Sequence, residues 1–298
     1  MPTPRVTVGI PLVNESLDEI ELAVRSVYAQ TFTDWEVVFF LDASPPDRVE
    51  HIKKIDDPRV SYVVNDTRRG IGSHLNRLAS MARGEYIAIL AADDAWTPDR
   101  LTVQLQRLTQ EDAPDVLAGQ MIIISDSKTV EGAQKAAHVP DDARGWVAGT
   151  PISHATAMAR TAWFRDHPYD ESLIRAQDRA FWIEAHVGST IEILPDVVYY
   201  YRVPKPLSYK KYAWSSKYAR RVIWKYGRRV LSTPQVMKIY AESVVKQAIV
   251  ALTTIGGGSS KLYYRRVDPL TPEEIARHQR IIEEVGRTEV PGWDAGSE

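Results

Sequence analysis

Residues 5–44 read RVTVGIPLVNESLDEIELAVRSVYAQTFTDWEVVFFLDAS, and this stretch decides the fold. It opens with β-branched residues at 5–10 and closes with a continuous apolar run at 36–41. Between them, residues 16–30 carry apolar side chains at helical intervals, and Ser16 begins them with the spacing of a capping box. A strand that is apolar at every position is typical of a parallel sheet covered on both faces. The stretch therefore predicts a strand, a helix and a parallel strand.

The same alternation continues along the chain. Strands are predicted at 59–64 and 86–90, with a helix at 71–82 between them. This order is typical of an α/β fold with a mixed, mostly parallel sheet flanked by helices. In such sheets, ligands bind beyond the carboxyl ends of the strands. The segments that follow the four strands are 11–15, 42–47, 65–70 and 91–94.

Composition excludes several classes of protein. The chain has 298 residues, no cysteine and a formal net charge of -2. A disulfide framework and thiolate chemistry are therefore excluded, and the charge gives no general basis for binding nucleic acid. The N-terminus MPTPRVTVGI lacks the apolar run of a signal peptide, and no apolar run reaches the length of a membrane helix. These features favour a cytoplasmic protein.

The last third of the chain differs in character from the rest. Residues 206–298 predict a helical extension, with a basic and aromatic segment at 209–230 and a longer helix at 234–252. Glycines at 256–258 predict a flexible loop, and the last dozen residues, 287–298, are expected to be disordered. The basic segment either contacts anionic lipid or a phosphate-bearing acceptor, or is a solvated helix whose aromatic side chains pack on the core. The second interpretation is favoured.

Carboxylates end two of the predicted strands. Asp93 and Asp94 follow the strand at 86–90 directly, and such oxygens suit Mg²⁺ or Mn²⁺, which take their other ligands from substrate phosphate and water. The alternative is a turn in which the pair only caps the next helix. Asp42 ends the strand at 36–41, where it either accepts hydrogen bonds from a base or ribose or forms an Asx turn.

Two further side chains are candidates for chemistry. Asp178 lies in RAQDRAFWIEA, which predicts a helix start with Phe181 and Trp182 packed inward. A single acid beside a pocket serves as a general base, whereas an acid in the first turn of a helix is also stabilised by the helix dipole. His154 either contacts a phosphate, metal or acceptor, or is structural. Taken alone, the structural interpretation is favoured for both residues.

The order of these segments carries more information than any one of them. They are VTVGIPLVNES, SVYAQTFTDWEVVFFLDAS, GEYIAILAADDAWTPDRL, AQDRAFW and VVYYYRV. In this order and spacing they resemble the family 2 glycosyltransferases, which have the Rossmann-like GT-A fold. The resemblance covers residues 5–205. It implies a nucleotide-sugar-binding and catalytic domain at 1–205, followed by the extension at 206–298.

The resemblance implies a role for each strand-end segment. Asp93 matches the last aspartate of the metal-binding DxD motif, and Asp178 matches the acid that usually serves as catalytic base. Tyr201, Arg202 and Ser208 are similar to the loop that closes after the base. The residues implied in nucleotide binding are Pro11, Val13, Asn14, Glu15, Asp42, Ser44, Arg69, Ala92 and Asp93. The candidate acceptor or phosphate contacts are Asp94, His154, Gln177, Trp182 and Arg202.

The sequence departs from the family pattern at two positions. Ala91 replaces the first aspartate of the DxD motif, so the metal would depend on Asp93 and on phosphate oxygens. Gln177 replaces the glutamate before Asp178, while the acid expected to take the proton is kept. Both departures bear on the strength of metal binding and catalysis.

The implied activity is inverting transfer of a sugar from a nucleotide-diphosphate sugar to an acceptor hydroxyl, assisted by Mn²⁺ or Mg²⁺. UDP is favoured over dTDP and GDP, and the acceptor is a glycan, lipid-linked sugar, peptide or small natural product. A homodimer and peripheral contact with the inner membrane face through 209–230 are left open.

Two other functions compete with this interpretation. A non-catalytic nucleotide-sugar-binding protein of the same fold would account for Ala91 and Gln177. A nucleotidyltransferase would need a glycine-rich loop with a cation after the first strand, where this chain has IPLVNES.

Overall fold

The computed structural model describes residues 3–203, 209–255 and 267–293. The strands are β1 Val6–Leu12, β2 Trp35–Asp42, β3 Val60–Asn65, β4 Tyr86–Ile89, β5 Ala95–Trp96, β6 Val116–Ile124, β7 Val130–Gln134, β8 Met158–Arg160, β9 Ile191–Arg202 and β10 Val267–Asp268. The helices are α1 Leu17–Tyr28, α2 Pro46–Lys53, α3 Ile71–Met81, α4 Arg100–Leu108, α5 Ala143–Ala148, α6 Thr161–Asp166, α7 Gln177–Ala185, α8 Tyr209–Val230, α9 Thr233–Ile255 and α10 Pro272–Gly286.

One large sheet organises the chain, in the order β10-β7-β6-β8-β4-β1-β2-β3. The strands β3, β2, β1 and β4 are parallel, as the alternating sequence pattern predicts. Beyond β4 the sheet becomes mixed, because β8 runs antiparallel to both β4 and β6. Strand β9 lies beside β6 in parallel and also pairs with β5. The predicted mixed α/β sheet flanked by helices is confirmed.

Helices cover both faces of the sheet. On one face, α1 and α4 bury Ile20, Val24 and Leu101 against β1 and β2. On the other face, α3, α6 and α7 bury an aromatic group that includes Phe181 and Trp182. Helix α1 begins as predicted, since the Ser16 side chain and its glutamate partner form a complete capping box. The core therefore has two layers, separated by strands whose side chains are apolar on both faces.

Residues 287–293 pack on the protein, although the sequence predicted disorder for 287–298. Val290 is buried in the core beneath α1, and the Trp293 indole N–H donates to the His51 carbonyl at 2.8 Å. The Trp293 ring also stacks on the His51 ring, with 4.4 Å between centroids. Val290 and Trp293 are the apolar side chains that bind this segment to the core. The polar composition of the rest of the segment led to the prediction of disorder.

Some expectations fall on residues that the structure does not describe. These are Ser208, the predicted loop at 256–258, and residues 294–298 of the tail. Within the described ranges, no helix combines the length and the apolar character that crossing a membrane requires.

Ending the chain at Gly286 should destabilise the protein. The truncation removes Val290 from the core, the Trp293 stack on His51, and the hydrogen bond from the Arg25 guanidinium to the Thr288 carbonyl. We expect a loss of about 2–4 kcal/mol in the free energy of unfolding, measured by urea denaturation. A chain ended at Trp293 keeps all three contacts and is the control. Equal midpoints for the two truncations would show that the docked segment contributes nothing.

Candidate active site

The loops after β1 and β2 meet at one edge of the sheet. Parallel pairing brings Leu12 beside Leu41, so the two strands end together. The Ser44 hydroxyl donates to the Leu12 carbonyl at 2.8 Å, and the Arg48 Nε donates to the Glu15 carbonyl at 3.3 Å. The two loops are therefore fixed to each other at the edge where α/β sheets bind ligands.

The loop after β1 is held by its own glutamate. One carboxylate oxygen of Glu15 accepts hydrogen bonds from the backbone N–H groups of Val13, at 2.6 Å, and Asn14, at 2.9 Å. Pro11 lies within β1, opposite Phe40 of β2. Of the four residues assigned to this part of the nucleotide site, Pro11 belongs to the strand, and Val13, Asn14 and Glu15 form a turn whose shape is set by Glu15.

Asp42 lies at the end of β2 and is buried. Its carboxylate accepts from the backbone N–H groups of Arg69, at 2.8 Å, and Gly70, at 3.2 Å, and lies 3.2 Å from His74 Nε2. Burial lowers the pKa of His74, so the ring is neutral and donates through Nε2. Gly70 has a φ of +83°, which glycine adopts without strain. Asp42 therefore shapes the turn that carries the exposed Arg69 side chain, and its contact with a nucleotide stays a prediction.

Asp93 and Asp94 are neighbours in sequence with different surroundings. The Asp94 carboxylate is buried, accepts from the Tyr199 hydroxyl at 2.8 Å and accepts from the Arg202 backbone N–H at 2.7 Å. Burial holds the pKa of Asp94 well above its usual range. This side chain was predicted as an acceptor or phosphate contact, but the structure places it inside the protein as a link to β9. It does not cap α4 either.

The Asp93 carboxylate remains partly accessible. Burial raises its pKa, and the negative charge of Glu15 raises it further. The positive charge of Arg202 acts in the opposite direction. Two carboxylates from the loops after β1 and β4 therefore share one region, with oxygen ligands of the kind that Mg²⁺ and Mn²⁺ prefer.

Arg202 is buried beside this pair of carboxylates. Its Nε donates to the Asp93 carbonyl at 2.8 Å, and its Nη1 donates to the Asp126 carbonyl at 2.8 Å. The Glu19 carboxylate lies 3.9 Å from Nε. Among the described residues, the buried Nη2 has no hydrogen-bond partner. The buried guanidinium therefore holds a positive charge beside the carboxylate pair.

The described residues fit a divalent cation that depends on its substrate. They contain no group of three or more histidine, cysteine, aspartate or glutamate side chains placed to hold a metal. Asp93 would be the protein ligand. The nearby negative charge of Glu15 would attract a cation to the same place. A cation held by few carboxylates takes its remaining ligands from phosphate and water.

Asp178 stands in the first turn of α7. The N-cap residue of the helix, Ala176, has φ 60° and ψ 28°, a left-handed conformation that costs a non-glycine residue roughly 1 kcal/mol. The Asp178 carboxylate accepts from the Arg179 backbone N–H at 2.8 Å. Its predecessor Gln177, another predicted acceptor or phosphate contact, is the first residue of the helix and is partly buried. The left-handed N-cap sets the direction of the first turn of α7, and therefore the direction of the Asp178 side chain.

Tyr201 connects the two carboxylate regions. The side chain is 41% exposed, yet its pKa is raised to about 12 by burial and then by the charges of Asp94, Asp93 and Asp178. The influence of all three acids indicates that the end of β4 and the start of α7 both lie near the Tyr201 side chain. The space beside Tyr201 is therefore the candidate position for a ligand that reaches both the predicted metal site and the predicted base.

His154 lies beneath this space. Its Nε2 is 2.5 Å from the Tyr169 hydroxyl, and its ring contacts Phe181 edge-on at 5.4 Å. Burial lowers the pKa of His154 to about 4, while burial and the charge of Asp178 raise the pKa of Tyr169. The hydrogen bond therefore joins an uncharged phenol to a neutral imidazole.

Trp182 requires a correction. It was predicted as an acceptor or phosphate contact, but its indole is wholly buried among the aromatic side chains on α7 and α6. Position 182 lies one helical turn beyond Asp178, where α5 and α6 cover the same side of α7, so the side chain packs below the site.

A cavity of about 470 Å³ opens beside Asp178. The start of α7 supplies Arg175 and Arg179 to its wall, and the facing sides of α8 and α9 supply Tyr212 and Lys246. Sequence reasoning missed Tyr199, which fixes Asp94, and missed this wall. The tyrosine run at 199–201 was a signal for the first, whereas nothing in the sequence shows that α8 and α9 fold over Asp178.

Known proteins share this arrangement. The family model for glycosyl transferase family 2 matches residues 7–167. An uncharacterized glycosyltransferase of Methanocaldococcus jannaschii is 26% identical over 263 residues, which are 85% of this chain and 91% of that protein. The mannosyltransferase PcManGT of Pyrobaculum calidifontis, in complex with GDP-Man and Mn²⁺, superposes with a TM-score of 0.57 at 21% identity, covering 95% of this chain and 86% of its own.

A second solved structure agrees with the first. TarS of S. aureus in complex with UDP superposes with a TM-score of 0.55 at 20% identity, covering 80% of this chain and 70% of its own. At these identities the structures establish the fold, which is that of the GT-A glycosyltransferases. The chain belongs to glycosyl transferase family 2 and is a glycosyltransferase. The nucleotidyltransferase interpretation is therefore wrong.

The buried imidazole of His154 should make stability depend on pH. The folded pKa is about 4, whereas an unfolded histidine titrates at 6.5, so the unfolded chain binds a proton first as the pH falls. Stability is complete above pH 6.5 and decreases as the pH falls towards 4. Between pH 7 and pH 5 this histidine should contribute a loss of roughly 2 kcal/mol, which His154→Gln should remove. Urea denaturation at both pH values tests this, with the exposed His138→Gln as control, and an unchanged pH dependence in His154→Gln would contradict it.

Proposed function

We propose that the chain is an inverting glycosyltransferase that moves a sugar from a nucleotide-diphosphate sugar to an acceptor hydroxyl. The observation that carries this proposal is the edge where the loops after β1 and β2 are fixed to each other, with Asp93 beside Glu15 and Asp178 at the neighbouring cavity. Donor and acceptor would meet in the space between these acids. The favoured donor carries UDP, and the favoured cofactor is Mn²⁺ or Mg²⁺.

The donor would bind along the edge formed by the loops after β1, β2 and β4. The turn held by Glu15 and the exposed Arg69 side chain would receive the nucleoside, with Asp42 holding that turn in place. Ala92, buried before Asp93, brings the backbone close to the diphosphate. The buried positive charge of Arg202, beside Asp93, would attract the diphosphate. Complexes of structural neighbours with UDP and with GDP-Man and Mn²⁺ support this assignment.

The metal would be held by Asp93 and by diphosphate oxygens. When bound, it would offset the negative charge that develops on the leaving diphosphate. Glu15 would add to the negative potential that attracts the ion, and the Arg202 guanidinium would limit it. Ala91, at the first DxD position, donates its backbone N–H to the Tyr199 hydroxyl at 3.2 Å and supplies no ligand.

Asp178 would act as the base on the acceptor. The acceptor hydroxyl oxygen bonds to the anomeric carbon while the bond to the diphosphate oxygen breaks, and its electron pair leaves with the diphosphate. The hydroxyl proton passes to the Asp178 carboxylate. Attack from the face opposite the leaving group inverts the anomeric centre. The cavity beside Asp178 is the proposed acceptor site.

Nucleotide binding should depend on metal and on Asp93. In a calorimetric titration, UDP should bind in the presence of Mn²⁺ and lose affinity when EDTA is added. Asp93→Asn should weaken binding by roughly tenfold or more, because it removes the protein ligand. Asp99→Asn, which changes an exposed acid of the same segment, should bind as the parent does. Failure of UDP, dTDP and GDP alike to bind with metal present would reject the proposed donor site.

Turnover should depend on Asp178 without affecting donor binding. Asp178→Asn should lower kcat by about 10²–10⁴-fold, because an amide cannot accept the hydroxyl proton. Affinity for nucleotide should stay within error, since Asp178 does not touch the diphosphate. The control is Glu184→Gln, which removes another acid of α7 that pairs with Arg229. Near-normal turnover in Asp178→Asn would show that another group is the base.

A further inference from the structure

Helices α8 and α9 form an antiparallel pair packed on the catalytic domain. Their inner sides bury Val222, Ile223, Val236 and Ile239 in one cluster that also includes residues of α5 and α7. The Arg220 guanidinium donates to the Gln247 side chain at 2.6 Å across the seam between the helices. Because both helices place their inner sides in the same cluster, their exposed sides face outward together.

The outward side of α9 is apolar. Its exposed residues include Val244 at 47% and Leu252 at 71%. The residues that make up this apolar strip are Met237, Tyr240, Ala241, Val244, Val245, Ala248, Ile249 and Leu252. Spacings of three and four residues align most of them on one side of the helix. A strip of this length on a water-facing helix marks a contact surface.

The outward side of α8 is basic and carries two exposed indoles, Trp214 and Trp224. Its exposed cations are Lys210, Lys217, Arg221 and Arg228. Within the described ranges, no carboxylate forms an ion pair with any of these four. By contrast, Lys225 and Arg229, which lie nearer the catalytic domain, pair with Asp170 and Glu184.

We propose that the outward sides of α8 and α9 together dock on an anionic lipid bilayer. The four cations would meet lipid phosphates, the indoles would lie at the interface, and the apolar strip of α9 would enter the acyl boundary. Charge distinguishes this partner from a second copy of the chain. A symmetric dimer would bring both sets of cations into one interface, and no described acid on these outward sides would neutralise them.

Docking would also orient the proposed acceptor site. The facing sides of the same two helices line the cavity at Asp178, with Ser215 and Ser216 from α8 and Ser243 from α9. A bilayer beneath the pair would place the cavity near the membrane surface, within reach of an acceptor carried on a lipid. This consequence rests on the proposed function, whereas the docking surface itself does not.

Vesicle flotation of the full chain, without nucleotide, tests the proposal. The protein should float with vesicles of phosphatidylcholine containing a third of phosphatidylglycerol, should bind phosphatidylcholine alone far more weakly, and should be released by salt. Removing one cation should weaken binding to the anionic vesicles roughly fivefold. The double variant Lys217→Glu with Arg221→Glu should therefore reduce the vesicle partition coefficient at least about twentyfold. Val244→Asp should reduce it roughly tenfold.

Val64→Asp is the matched control for the apolar strip. Val64 lies on β3, is 49% exposed, and changes in the same way as Val244. The control should float as the parent does, and all variants should keep the parent's circular dichroism and affinity for nucleotide. No flotation of the parent, or equal flotation of Val244→Asp and the parent, would overturn the proposal. So would a dimer in sedimentation equilibrium that Val244→Asp dissociates, because the strip would then be a subunit interface. Failure of flotation leaves the nucleotide titration unaffected, so the two proposals fail separately.

Discussion

The site depends on one buried carboxylate, that of Asp94. A charged group without water is costly unless hydrogen bonds compensate, and Asp94 receives them from the Tyr199 hydroxyl and the Arg202 backbone, both on β9. Burial nevertheless holds the pKa of Asp94 well above its usual range, so the hydrogen bonds only partly offset the loss of water. The link fixes β9 against the loop after β4, and so places the Arg202 guanidinium beside Asp93. Without this link, no side-chain contact of Asp94 would fix the position of Asp93, after β4, relative to Arg202 on β9.

The sequence predicted the parallel half of the sheet well, because βαβ order, a capping box and an all-apolar strand agree with one another at residues 5–44. It could not separate Asp93 from Asp94. Two adjacent acids have the same composition signal, and only tertiary contact with β9 decides which one is buried. Trp182 was assigned to the site for a similar reason: it lies one helical turn beyond Asp178 on the same side of α7, but tertiary contacts with α5 and α6 bury it. Val290 and Trp293 show the converse, since two apolar residues suffice to dock a polar tail.

The other parts of the site come from residues distant in sequence, and local patterns carry no information about them. Glu15 acts on Asp93 across the gap between the loops after β1 and β4, and Tyr201 senses acids from β4 and α7. The cavity wall comes from helices that begin after residue 208. The carboxylate pair, the unsatisfied arginine nitrogen and the neutral histidine all result from tertiary contacts and burial. Local sequence spacing does not reveal them.

The net charge of the chain does not reveal how the charges are distributed. The formal net charge is -2, yet helix α8 contains eight cations and no acid. Half of those cations face outward beside the apolar strip of α9, while Lys225 and Arg229 hold the helix to the catalytic domain. Asp170, which pairs with Lys225, follows Tyr169, whose hydroxyl lies against His154 and whose ring stacks on Phe181 of α7. Helix α8 is thus anchored through the same short segment that packs against the helix carrying Asp178.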